Sequence, residues 1–204
     1  MRRLIGIMKK NYTVDFPDIF KNLKRGPQII TLKDMALISA YTGISSGQKI
    51  VDAGSGSGFL AIYLGNLVKP DGKVISYEIR KDFAEIAKQN VKKAGLEKVV
   101  RIKNKDVSKG IEEKNVDVIT LDLPEPWKVV KNAKKSLKKG GWIVSYVPNI
   151  EQVKKMVEEC EKQRIKHVHT IESFIREIIV RKKGTRPENT GIIHTGYISF
   201  FRRN

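Results

Sequence analysis

The chain has 204 residues, 40% apolar and 30% charged, enough to bury one core and too apolar for a disordered segment. Its 40 Lys and Arg against 22 Asp and Glu leave a formal charge of +18, a self-repulsion that points to a polyanionic partner. No apolar run approaches the roughly 20 residues that span a bilayer, and a single cysteine, Cys160, excludes an internal disulfide framework and a cysteine-based zinc site.

The opening MRRLIGIMKKNY lacks the long apolar stretch and small-residue cleavage site of a secretory signal, so a cytoplasmic protein is expected. Residues 1–24 show no clear period and read as a basic N-terminal arm ahead of one folded domain, 25–204. A helix is expected over 31–40, where Thr31 and Asp34 stand in capping-box spacing and Gly43 supplies a stop. QKIVDAG (48–54) reads as a buried strand followed by a helix over 58–69, and VISYEI (74–79) as a second strand. The next helix carries Phe83, Ile86, Ala87, Val91 and Ala94 on one face and ends at Gly95. Strands follow at 99–103 and 116–123, then a basic helix over 127–139 and a strand over 142–147. Ile150, Val153, Val157 and Cys160 share a helical face, which makes Cys160 a core residue. Two strands, 167–180 and 193–201, close the chain as a hairpin around the polar loop RKKGTRPENTG. Alternation of strands and helices predicts an α/β fold: a mostly parallel seven-stranded sheet, helices on both faces, and an antiparallel C-terminal strand.

The strongest local signal is Asp52-Ala53-Gly54-Ser55-Gly56-Ser57-Gly58, an acid and three alternating glycines between an apolar strand and a helix. Such a loop lets backbone approach a ligand at the carboxyl end of the first strand. The spacing is GxGxG rather than the GxGxxG of dinucleotide sites, and it resembles that of class I S-adenosylmethionine methyltransferases. Glu78 closes the second strand, where a carboxylate can accept both hydroxyls of a ribose; the alternative is a solvated acid paired with Arg80. Asp106 follows the third strand, where it can accept an adenine amino hydrogen or simply cap a helix.

Asp122-Leu123-Pro124-Glu125-Pro126-Trp127 leaves the fourth strand beside that loop, its two prolines stiffening the backbone. A fixed carboxylate near an aromatic ring suits a flipped base, while the plainer reading puts Trp127 in the core. His167 and His169 alternate onto one strand face with no third ligand in view, and no metal site is expected.

DLPEPW after the glycine loop, KRGPQIITLKD upstream, SYEIRKDFAEIA, and the ending RP…HTGYISFFRR together resemble the tRNA (adenine-N1)-methyltransferase family, from about Lys24 to Arg203. That resemblance implies S-adenosylmethionine as methyl donor, tRNA as substrate with T-loop adenine 58 (and 57 in archaeal members) as target, and a homotetramer. By position it implies Asp122 as catalytic residue. Gln28, Asp52, Gly54, Ser55, Gly56, Gly58, Glu78 and Asp106 are implied, with Asp122, in holding the cofactor. Arg25, Trp127, His194 and Thr195 are implied on the substrate side.

Two departures stand out. The family carries a small β-rich domain ahead of the RGPQ segment, where 24 residues precede Arg25 here, and Thr31 occupies the place of a family tyrosine in QxxYPKD. Rival readings are a class I methyltransferase for a small corrinoid-pathway molecule or a protein, and a non-catalytic tRNA-binding subunit; an NAD oxidoreductase is disfavoured by the glycine spacing. Three basic runs offer phosphate contacts: Arg2, Arg3, Lys9 and Lys10 in the arm, Lys131 to Lys139 after the Asp122 loop, and Arg181, Lys182, Lys183 and Arg186 in the last hairpin.

Overall fold

A computed structural model describes residues 18–26, 28–192 and 194–204. The arginines and lysines expected to form the N-terminal arm up to Lys10 lie outside the described residues. Residues 18–24 pack onto the domain: Phe20 stacks on Phe59 at 5.4 Å, and Asn90 clasps both backbone groups of Lys24 at 2.8–2.9 Å.

The first half alternates as expected: helix α1 (Leu32–Thr42), strand β1 (Lys49–Ala53), α2 (Phe59–Val68), β2 (Lys73–Tyr77), α3 (Lys81–Lys93), β3 (Val100–Lys103) and β4 (Val116–Leu121). After these come α4 (Val130–Ser136), β5 (Leu137–Val147), α5 (Ile150–Lys162), β6 (Ile165–Ile171), a short arm of β7 (Ile178–Ile179) and β8 (Arg186–Pro187), and β9 (Tyr197–Arg203). The main sheet runs β3-β2-β1-β4-β5-β9-β6. β1 to β5 are mutually parallel, and β9 lies antiparallel between β5 and β6.

Strands covered on both faces read as unbroken apolar runs, because each successive side chain meets a different helical layer. Ile50 packs with α1, α2 and α3, whereas Val51 packs with α4 and α5; Phe200 and Phe201 divide in the same way. α2 is apolar nearly all round since it is buried nearly all round. α3 buries only Ala84, Ala87, Asn90 and Val91, and α5 only Val153, Met156 and Cys160. Asn149 and Gln152 start α5 with a reciprocal capping box.

Three elements differ from expectation. The basic helix is short: a 3-10 turn over Pro126–Val129 leads into α4, and β5 begins at Leu137. Leu137 pairs with Val116, and Trp142 with Val118, so Lys138 to Gly141 bulge out of a strand rather than extend a helix. The lysine run is thereby divided, with Lys134 donating to the Gln163 carbonyl and Lys138 paired with Asp117. The long strand expected over 167–180 leaves the sheet at Ile171, and residues 178–187 form the separate β7–β8 arm. His167 and His169 do not share a face. A register shift between them sends His167 toward Phe201 and His169 toward Tyr41 and Phe200, on opposite core layers.

The strand order reverses between β1 and β4: the chain builds outward through β2 and β3, then returns to the other side of β1. Neighbouring helices diverge at such a switch point and leave a crevice beyond the carboxyl ends of the two strands. Asp52-Gly58 leaves β1 there, and Asp122 leaves β4 there.

Candidate active site

The glycine loop is bent by its backbone. The N–H groups of Gly54 and Ser55 both donate to the Tyr77 carbonyl at 3.0 Å, and Gly58 N–H donates to the Ser55 carbonyl at 2.7 Å. Gly54 has φ +97°, and a β-carbon on it would overlap the Asp122 carbonyl oxygen. Gly58 opens α2 at φ +85°, and a β-carbon on it would crowd Ala87 at 3.2 Å. Only glycine satisfies both conditions at once.

Asp52 lies beneath this loop, fully buried, accepting from the Ser76 hydroxyl at 2.6 Å and the Thr120 hydroxyl at 2.7 Å. Burial raises its pKa against those two hydrogen bonds. Ser76 also meets the Ser55 hydroxyl, so Asp52 holds the loop through a chain of hydroxyls rather than facing the crevice.

Glu78 follows β2 and is nearly buried. Its Oε2 accepts from Gly56 N–H at 2.8 Å and its Oε1 from Arg80 N–H at 2.9 Å. The Arg80 guanidinium pairs with Asp82, so the contact between Glu78 and Arg80 is through backbone only. Each Glu78 oxygen keeps a lone pair for a further donor such as a ribose hydroxyl. Asp106 does cap the short turn Val107–Lys109, its Oδ1 accepting from both Ser108 N–H and hydroxyl, while no described residue bonds its Oδ2.

A cleft lies over the loop. Gly54 to Ser57 form its floor, Gln28 to Ile30 its roof, Phe59 and Leu60 an apolar wall, and Asp122 stands at its end. Asp122 N–H donates to the Ala53 carbonyl at 2.9 Å, and Gln152 anchors the same loop through the Pro124 carbonyl at 2.9 Å. No hydrogen bond or salt bridge from a described residue reaches the Asp122 carboxylate. Its pKa is pushed up to about 7, chiefly because the surrounding protein displaces solvation, with help from the charges of Asp52 and Glu78. The side chain is nonetheless open to the cleft mouth, so water moderates this push until a ligand fills the space.

The substrate-side residues divide. Thr195 accepts from Lys33 at 2.7 Å through its hydroxyl and from Tyr146 at 2.6 Å through its carbonyl. His194 is exposed, held between Glu172 at 2.6 Å and the Pro148 carbonyl at 2.9 Å, and Glu172 raises its pKa. Arg25 is exposed just before Gly26, whose backbone lies close over Ser57 and Phe83. Trp127 takes the plainer role: it packs against the α4–α5 layer with the Lys155 ammonium 4.8 Å over its ring, and it does not line the cleft. Sequence reasoning missed Lys33, Asp34, Tyr146 and Ser173, which form a polar cluster beside the roof. The adjacent Lys-Asp pair opening an otherwise apolar helix was the available signal.

Backbone room for a ligand at Gly54 to Ser57, a partly engaged carboxylate at Glu78, an apolar wall and an uncompensated acid fit a nucleoside-bearing cation such as S-adenosylmethionine. The comparisons with known proteins agree. A methyltransferase named tRNA (adenine(57)-N(1)/adenine(58)-N(1))-methyltransferase TrmI, from Methanocaldococcus jannaschii, is 43% identical over 91% of this chain and 75% of its own length. The solved Aquifex aeolicus tRNA (m1A58) methyltransferase TrmI superposes with a TM-score of 0.82 at 27% identity, over 91% of this chain and 74% of that one. A Thermotoga maritima structure described as a SAM-dependent O-methyltransferase gives a TM-score of 0.86 at 33% identity, over 92% and 71%. The family model described as "tRNA methyltransferase complex GCD14 subunit" matches residues 16–196, and the chain belongs to that family.

Proposed function

We propose that this chain transfers a methyl group from S-adenosylmethionine to N1 of the T-loop adenine at position 58 of tRNA, and also at 57, in the cytoplasm. The observation that carries this reading is Asp122: a carboxylate without a cation among the described residues, its backbone tied to Ala53 and its loop to Gln152, on the lining of the cleft.

Gly54 to Gly58, Glu78 and Asp106 would hold the cofactor, with Gln28 above it; when bound it supplies an electrophilic methyl group on a sulfonium. Adenine N1 carries a free lone pair at neutral pH, so Asp122 need not remove a proton before attack. Its task is to accept a hydrogen bond from the exocyclic amino group and to stabilise the positive charge that develops on the ring. An O-methyltransferase must deprotonate a hydroxyl, whereas an N1-methyltransferase needs only this oriented anion. Orientation supplies the rest of the rate enhancement.

The charge of +18 supports a phosphate-rich substrate. Phe174, Ile175, Ile178, Val180 and Ile192 are apolar and exposed around the β7–β8 arm, which supports assembly with further copies as a homotetramer. Because N1 methylation blocks Watson–Crick pairing, reverse transcription of treated tRNA tests the target. Stops one nucleotide before position 58, absent when that adenine is replaced by guanine, are expected; read-through at 57 and 58 would refute the assignment. Sedimentation of the purified protein tests the tetramer.

A further inference from the structure

The polar cluster beside the cleft roof is more elaborate than the fold needs. Lys33, with 11% of its side chain exposed, shares its three ammonium protons among Asp34 Oδ1 at 2.7 Å, the Ser173 carbonyl and hydroxyl at 2.7 and 3.0 Å, and the Thr195 hydroxyl at 2.7 Å. Asp34 is fully buried and accepts in addition from Ser173 at 3.1 Å and Thr31 at 2.9 Å, and at 3.2 Å it shares with the Thr195 carbonyl the one proton of the Tyr146 hydroxyl. Burial raises the Asp34 pKa, but the hydrogen bonds, led by that from Lys33, outweigh it and leave the value lowered.

Four chain segments meet at this pair: the start of α1 directly after the roof, the end of β5, the exit from β6 and the approach to β9. Of the joined residues, Thr195 is one that the family resemblance implies on the substrate side, and Thr31 stands where the family has a tyrosine. A third, Tyr146, directly follows Ser145, which pairs across the sheet with Leu121, the residue before Asp122. A buried ion pair is a poor source of net stability, because desolvating two charges offsets most of their attraction. An apolar plug would serve the core as well.

We propose that Lys33 and Asp34 are positioning residues for methyl transfer. They hold the roof after Gln28, the Thr195 loop and Tyr146 in register with Asp122, and they act on the target base rather than on the cofactor. The proposal rests on the tRNA-adenine reading. The hydrogen bonds of the pair go to Ser173, Thr195, Thr31 and Tyr146 rather than to the Gly54 to Ser57 floor or Glu78, so cofactor affinity is expected to survive its loss.

The test compares wild type, Lys33→Met/Asp34→Asn, Lys33→Arg, Ser173→Ala and Thr195→Val in full-length protein. The readouts are steady-state kinetics on tRNA, calorimetry with S-adenosylhomocysteine and thermal melting. Removing the pair should lower kcat roughly 10- to 100-fold, the scale of a misplaced reacting group, with S-adenosylhomocysteine affinity held within about threefold. Lys33→Arg should restore part of kcat, and the hydroxyl-removing variants Ser173→Ala and Thr195→Val should each lower kcat with melting near wild type. Unchanged kcat in the folded double variant would overturn the proposal. So would parallel loss of cofactor affinity and kcat, or an unfolded double variant with full kcat in both Ser173→Ala and Thr195→Val, since the pair would then serve the fold alone. Inactive wild type on tRNA would instead strike the underlying reading.

Discussion

The backbones of Gly54 and Asp122 touch: a β-carbon at Gly54 would fall inside the Asp122 carbonyl oxygen, and Asp122 N–H bonds the carbonyl of Ala53 just before it. The glycine loop after β1 and the Asp122 loop after β4 are therefore one rigid unit. Gly54→Ala is expected to force them apart, lowering both the melting temperature and S-adenosylhomocysteine affinity. Gly56→Ala meets no neighbouring atom and should cost less in both measurements, its strain coming only from φ +51°. Thermal melting and calorimetry on the two variants check this.

Glu78 is expected to work twice, holding Gly56 N–H and accepting from the ribose. Glu78→Ala should weaken S-adenosylhomocysteine binding by about 1–3 kcal/mol, the worth of lost charged hydrogen bonds. Calorimetry reads the change, and unaltered affinity would place the ribose elsewhere.

For Asp122 the direction with pH follows from its raised pKa of about 7. The carboxylate forms as pH rises through that value, so S-adenosylmethionine, a cation, should bind more tightly at pH 8 than at pH 6. Roughly fivefold is expected, about 1 kcal/mol of solvent-screened attraction. Neutral S-adenosylhomocysteine should show no such trend, and Asp122→Asn should abolish it.

The same shift affects stability with the opposite sense. A group with raised folded-state pKa favours the folded state below its ordinary value, and that contribution is lost as pH rises through about 7. Asp122→Asn should therefore raise the melting temperature at pH 8.5, and by less at pH 5.

Much of this site was legible because its signals are local. Positive φ at Gly54 and Gly58, and the acids Glu78 and Asp122 directly after β2 and β4, follow from where strands end. What was not legible depends on distant contacts. Lys33 reaches Ser173 and Thr195, 140 and 162 residues away, and nothing near Lys33 in sequence announces either partner. The bulges at 138–141 and between His167 and His169 break the period of two on which strand faces are read, so the lysine run and the histidine pair came out differently. Trp127 fits either role by sequence; its packing on the α4–α5 layer beneath Lys155 depends on residues distant in the chain.

The β7–β8 arm bears Arg181, Lys182, Lys183 and Arg186, all exposed. Neutralising the four should weaken tRNA binding and flatten its salt dependence by up to about 0.9 in log–log slope per lost phosphate contact. Cofactor affinity should not change. Filter binding across a salt series measures the slope, and an unaltered slope would move the phosphate surface off this arm.

The most direct measurement is mass spectrometry of nucleosides from unmodified tRNA after incubation with S-adenosylmethionine and either wild type or Asp122→Ala. The account predicts N1-methyladenosine with wild type and a loss of most turnover in Asp122→Ala while S-adenosylhomocysteine still binds. Absence of N1-methyladenosine with wild type, or its formation at an undiminished rate by the Asp122→Ala protein, would contradict it.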